Sequence, residues 1–138
     1  MTDLALEPYA ARLQWHFARP LSGHEWGRLF AEHIELLAAH SAKIETSVIG
    51  HIKGLACAPD DGYVRVNLVS AERPADVECK ISGQYNLLAF DLNVLIYGLS
   101  LEQVKRLTAE TAQSVAAHLG GQVDIESAHH EQASVEQS

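Results

Sequence analysis

Twice in this chain an alternating apolar run stops just before a Ser-x-x-Glu/Gln box. Leu13, Trp15 and Phe17, interleaved with Arg12, Gln14 and His16, lead to Ser22-Gly23-His24-Glu25. Leu88, Phe90, Leu92, Val94 and Ile96 lead to Ser100-Leu101-Glu102-Gln103. Period two marks a strand, and the box marks a helix start, because serine and the third residue can satisfy each other's backbone amides. Leu21 with Trp26, and Leu99 with Val104, stand at hydrophobic-staple positions. Behind the first box Trp26, Leu29, Phe30, Ile34 and Leu37 recur at helical spacing; behind the second, Val104, Thr108, Ala112, Val115 and Leu119 do. The pattern predicts helices over residues 23–43 and from 101 to 118 or 119, the latter stopped by Gly120-Gly121. A chain that repeats strand-then-helix must bury both helices against a sheet.

The stretches between supply further strands. Residues 47–57 and 63–69 flank the turn Ala58-Pro59-Asp60-Asp61-Gly62 and read as a hairpin. Residues 71–84 read as a loop with a short edge strand near 77–81, and 87–97 as one long strand. Pro20 is expected to end the first strand, and residues 122–126 to form a last short one. The expected organisation is an N-terminal arm over 1–10, one domain over 11–126 and a polar, disordered tail over 127–138. Helices interrupting a set of strands with a hairpin define an α+β protein. The closest plan is a ferredoxin-like two-layer sandwich, two helices on one face of a mostly antiparallel sheet, with one extra strand. The same periodicities put Trp15, Phe17, Trp26, Phe30, Ile34, Leu37, Val66, Leu68, Phe90, Leu92, Val94, Val104 and Val115 in the core.

The 138 residues are long enough for one real core. No apolar run approaches the ~20 residues of a membrane helix. The opening MTDLALEPYA has neither the charged nor the apolar region of a secretion signal. Cys57 and Cys79 are too few for a disulfide scaffold, so a cytoplasmic protein is expected. Ten Lys and Arg against 18 Asp and Glu give a formal charge of −8, which argues against nucleic acid as a partner.

If the apolar set of each strand faces the helices, the alternate set faces outward. That open face collects Arg12, Gln14 and His16, then Ile49, His51, Lys53 and Leu55, then Tyr63, Arg65 and Asn67, then Asp91, Asn93 and Tyr97. Val48, Gly50, Ile52, Gly54 and Ala56 are assigned to the helix side. Such a face is either solvated, with cross-strand charge pairs, or a surface that binds something. Its predicted binding residues are His51, Lys53, Arg65, Asn67, Asp91 and Asn93, with His51, Lys53 and Arg65 forming a contiguous positive patch. Pairing around the hairpin turn sets Lys53 near Asn67 and diagonal to Arg65.

There is no P-loop, no G-x-S-x-G, no H-E-x-x-H and no C-x-x-C. Eight histidines invite a search for metal ligands. His33 lies on the apolar stripe of the first helix and reads as a buried, hydrogen-bonded side chain. His129-His130-Glu131 stands in the tail, which lacks the fixed geometry of a site. His16, His51 and Asp91 are the one set whose expected strands are close enough to bind a divalent metal.

The run Ile49-Gly50-His51-Ile52-Lys53-Gly54, a hairpin, and Leu92-Asn93-Val94-Leu95-Ile96-Tyr97-Gly98 before a capped helix resemble the carboxyl-terminal domain of CobW-type metal-handling GTP-binding proteins. The likeness covers residues 13–119. The GTP-hydrolysing domain has no counterpart in these residues, so nucleotide hydrolysis is not carried over. The resemblance implies an accessory module in metal-cofactor assembly that docks a protein partner. Two other readings stand beside it: a small enzyme or anionic-ligand domain using His51, Lys53 and Arg65, and a homo-oligomer in which two open faces stack.

Overall fold

The computed structural model describes residues 8–127. Residues 1–7 of the arm expected over 1–10, and residues 128–138 of the tail expected over 127–138, lie outside the described residues. The elements are β1 (Tyr9–Ser22), α1 (Gly23–Ala42), β2 (Val48–Cys57), β3 (Tyr63–Leu68), β4 (Asp76–Cys79), β5 (Gln84–Tyr97), α2 (Leu101–Leu119) and β6 (Gln122–Ser127). The six strands form one open sheet in the order β4-β3-β2-β5-β1-β6, with every neighbouring pair antiparallel. Helix α1 carries the chain from β1 over β5 to β2, and α2 carries it from β5 over β1 to β6. The two crossovers interleave, which produces an α+β protein.

Both boxes are formed. Ser22 Oγ accepts from the Glu25 amide at 3.2 Å while Glu25 Oε1 accepts from the Ser22 amide at 2.9 Å. Ser100 and Gln103 exchange the same bonds at 3.2 and 2.8 Å. Helix α2 ends on Gly120 at φ 77°, the left-handed backbone that glycine adopts freely.

Every residue assigned to the core above is at most 6% exposed. Phe30 of α1 and Phe90 of β5 stack at 4.1 Å with 4° between their planes, and Trp26 stacks on Phe30 at 5.6 Å. The Phe90 ring occupies the space that a side chain at Gly54 would need, so β2 passes close under the aromatic layer.

Three expectations for β1 and β2 change. Strand β1 begins at Tyr9, whose side chain is buried, so the arm cannot reach residue 10. It also passes Pro20: the register with β5 slips between His16 and Leu21, and pairing resumes at Leu21–Tyr85 and Ser22–Gln84. Proline lacks an N–H to give the ladder, and the irregular segment is where such a residue is tolerated. In β2 a bulge between Ile49 and His51 reverses the faces of the strand's start. Ile49 pairs with buried Ile96 and packs on the core, whereas Val48 pairs with Tyr97 and is 64% exposed.

Candidate functional site: the uncovered sheet face

Registers across the face opposite the helices lay the predicted residues out in rows. In one row Asn93 of β5 pairs with Lys53 of β2, Lys53 with Asn67 of β3, and Asn67 with Asp76 of β4. In the next, Arg12 pairs with Asp91, Asp91 with Leu55, Leu55 with Arg65, and Arg65 with Glu78. His51 stands on the other side of the Lys53 row, opposite Leu95. Five of the six predicted binding residues thus flank or occupy the centre of the sheet, and His51 borders it.

The electrostatics differ from a positive patch. Arg65 Nη1 donates to Glu78 Oε1 at 3.2 Å, and its guanidinium lies 5.4 Å from the Tyr63 ring centre. Tyr63 donates to the other Glu78 oxygen at 2.9 Å, and that bond to a carboxylate raises the phenol pKa. Asp91 is held by Arg12, which donates from Nε at 2.7 Å and Nη2 at 3.1 Å. His51, Lys53 and Arg65 therefore do not form one uncompensated cluster. The residue that changes the charge is Glu78, carried by β4, a four-residue edge strand with little pattern to reveal its register. Lys53 makes no ion pair among the described residues. It is an exposed ammonium flanked by two amides, each able to donate two N–H bonds.

The metal set is not assembled. On β5, His16 pairs opposite Leu87, Arg12 opposite Asp91 and His51 opposite Leu95. Four residues of strand are roughly 13 Å, so His16, Asp91 and His51 are strung along the sheet instead of gathered. Among the described residues no three His, Cys, Asp or Glu side chains could hold a metal. The His51 Nε2 is instead buried with no hydrogen-bond partner among the described residues.

Apolar side chains surround this row. Leu55 is 37% exposed within the face, Leu87 51% towards one end, and Tyr97 and Val48 lie at the other. Among the described residues no helix is long and apolar enough to cross a membrane. No family model matches the chain, and neither a curated protein nor a solved structure matches it.

Proposed function

We infer that this chain is a binding or accessory module whose uncovered sheet face docks a partner protein through an acidic, partly apolar segment. The observation that carries the reading is the Asn93–Lys53–Asn67 row: a cation with no acid partner among the described residues, between two amides, on the sheet face opposite α1 and α2. A carboxylate laid on that row gains charge-assisted bonds from Lys53 and the amides. Leu55 beside it offers contact to an apolar neighbour.

The strand order β6-β1-β5-β2, with α1 and α2 as the two crossovers, supports the ferredoxin-like plan, β3 and β4 being added beyond β2. The resemblance of the His51 strand and the Leu92–Gly98 strand to CobW-type accessory domains supports a cytoplasmic role in metal-cofactor assembly. In that role the metal is the partner's cargo, because His16, His51 and Asp91 lie apart here.

Charge disfavours a second copy as the occupant. Both edges of the open face are acidic, Asp76 and Glu78 on β4 and Asp124 and Glu126 on β6. A two-fold axis along the strands lays β4 of one copy on β6 of the other; an axis across them lays each edge on itself. Either stacking sets acid over acid.

The test places a photo-crosslinking residue at Leu55 in the native host, identifies the captured protein and measures its affinity for the purified chain. Lys53→Ala should weaken that affinity at least ~10-fold with the melting temperature unchanged. Unchanged affinity in Lys53→Ala, or capture no greater than from an exposed position on α2, overturns the reading.

A further inference from the structure

A cleft of about 450 Å3 opens where the end of β1, the first turns of α1 and the end of α2 meet. None of its lining residues belongs to the Lys53 row. Its volume falls in the range of small-molecule sites, about 300–1,000 Å3. Phe17, Leu21 and Leu29 supply buried apolar surface, and Leu119, 43% exposed at the end of α2, stands across from them.

The polar rim is unevenly satisfied. Arg19 donates to both Glu25 oxygens, at 2.7 and 3.3 Å, and Glu25 also takes the Ser22 amide. Those bonds hold the Glu25 carboxyl at about 2, so this acid and this cation are already committed. Arg28 and Glu32 are in a different position. Both line the cleft, both are exposed, and neither makes an ion pair among the described residues. They are four apart on α1, with Cβ atoms roughly 5–6 Å from each other. A cation placed before an acid at this spacing is the weaker order, because each charge opposes the helix dipole. The rim therefore presents a cation and an anion, neither in an ion pair among the described residues, one helical turn apart beside an apolar floor.

A ligand bearing a carboxylate alone would leave Glu32 unanswered, and an amine alone would leave Arg28. A molecule that carries both charges on one carbon, with an apolar appendage, answers all three features. We propose that this cleft binds a free α-amino acid with an apolar side chain, its carboxylate on Arg28, its ammonium on Glu32 and its side chain against Phe17, Leu21, Leu29 and Leu119. The site would make the chain responsive to a metabolite independently of what the sheet face docks.

The experiment titrates the full chain with L-leucine and L-phenylalanine and follows backbone amide signals by NMR. Isocaproate, which lacks the amine, and isoamylamine, which lacks the carboxylate, run in parallel. Saturable shifts at Leu21, Arg28, Glu32 and Leu119 are expected with the amino acids and not with either analogue. Arg28→Gln and Glu32→Gln should each weaken binding at least ~10-fold. Both positions are exposed on a capped helix, and an unchanged melting temperature confirms that each variant folds. Lys53→Ala should bind the amino acid normally, which separates this site from the docking face. Absence of saturable shifts up to about 10 mM ligand, a weak-binding limit, overturns the proposal. So does an analogue that binds as well as leucine, or full binding in Arg28→Gln.

Discussion

His33 is a titratable group placed where its charged form has no solvent. It is 0% exposed between α1 and α2, and its Nε2 lies 3.2 Å from the Thr108 carbonyl and 3.1 Å from the Thr111 hydroxyl. A carbonyl only accepts, so Nε2 carries the proton. Thr111 uses its own hydrogen on the Leu107 or Thr108 carbonyl, which leaves its oxygen free to accept. Nδ1 has no hydrogen-bond partner among the described residues, and the Trp15 ring centre stands 5.6 Å from the imidazole's. Charging Nδ1 would bury an unsatisfied cation, and burial accordingly lowers the His33 pKa from 6.5 to about 4. Between those values the unfolded chain takes up a proton that the native one refuses. Stability should therefore be intact above pH 6.5 and fall as pH drops towards 4, by about 3 kcal/mol from this residue. Urea denaturation at pH 7 and pH 4 should show a smaller fall in His33→Gln than in the wild type; equal falls would mean that His33 is protonated at no cost. Packing chemistry at the same scale predicts a loss of ~3–5 kcal/mol for Phe90→Ala, since the ring is fully buried against Phe30. A loss under about 1 kcal/mol, the size of a surface change, would place Phe90 on the other face.

Elements differ in how openly the sequence declares them. The two boxes and the long alternating runs each repeat a local rule many times, so α1, α2, β1 and β5 are readable, as are the faces of β3 and β5. What fails is whatever depends on a single pairing. One inserted residue near Gly50 turns Val48 outward and Ile49 inward, and no periodicity announces it. The choice of Glu78 as the Arg65 partner depends on the register of a four-residue edge strand. His16, His51 and Asp91 share a face as expected, yet their separation along β5 is set by how far β1 and β2 slide against it. The cleft residues Arg28 and Glu32 carry a weaker signal, two opposite charges four apart in the less favourable order. Glycines at element ends give a sharper test. Gly98, between β5 and α2, has φ 87°, and a Cβ there would overlap the Thr46 carbonyl oxygen. Gly120 has φ 77° with open space around it. Gly120→Ala should cost about 1 kcal/mol for the left-handed backbone alone. Gly98→Ala should cost clearly more, as strain and overlap add. Equal costs in chemical denaturation would mean that the turn before α2 relaxes freely.

For the molecule as a whole, the sheet is completed by its last strand. β6 pairs with β1 from His16–Gln122 to Ala11–Ser127, and it covers an edge that β1 would otherwise expose along its first half. Val123 is 4% exposed on the helix side, and Gln113 of α2 donates to its carbonyl at 3.2 Å. Burial of Tyr9 at this end of the sheet raises its phenol pKa. Ser127 belongs to the strand, and the polar composition expected of a tail applies from residue 128 onward. These facts separate two truncations that lie six residues apart. A chain ending at Ser127 keeps every strand pairing among the described residues and should melt within about 1 °C of the full chain. A chain ending at Gly121 removes a buried valine, worth about 1.5–3 kcal/mol, together with the ladder along β1. For a domain of this size that loss should lower the melting temperature by more than about 4 °C. Circular dichroism on the two truncated chains decides it. A large drop on removing 128–138 would show that those residues contribute to folding, and no drop on removing β6 would show that the β1 edge is stable uncovered.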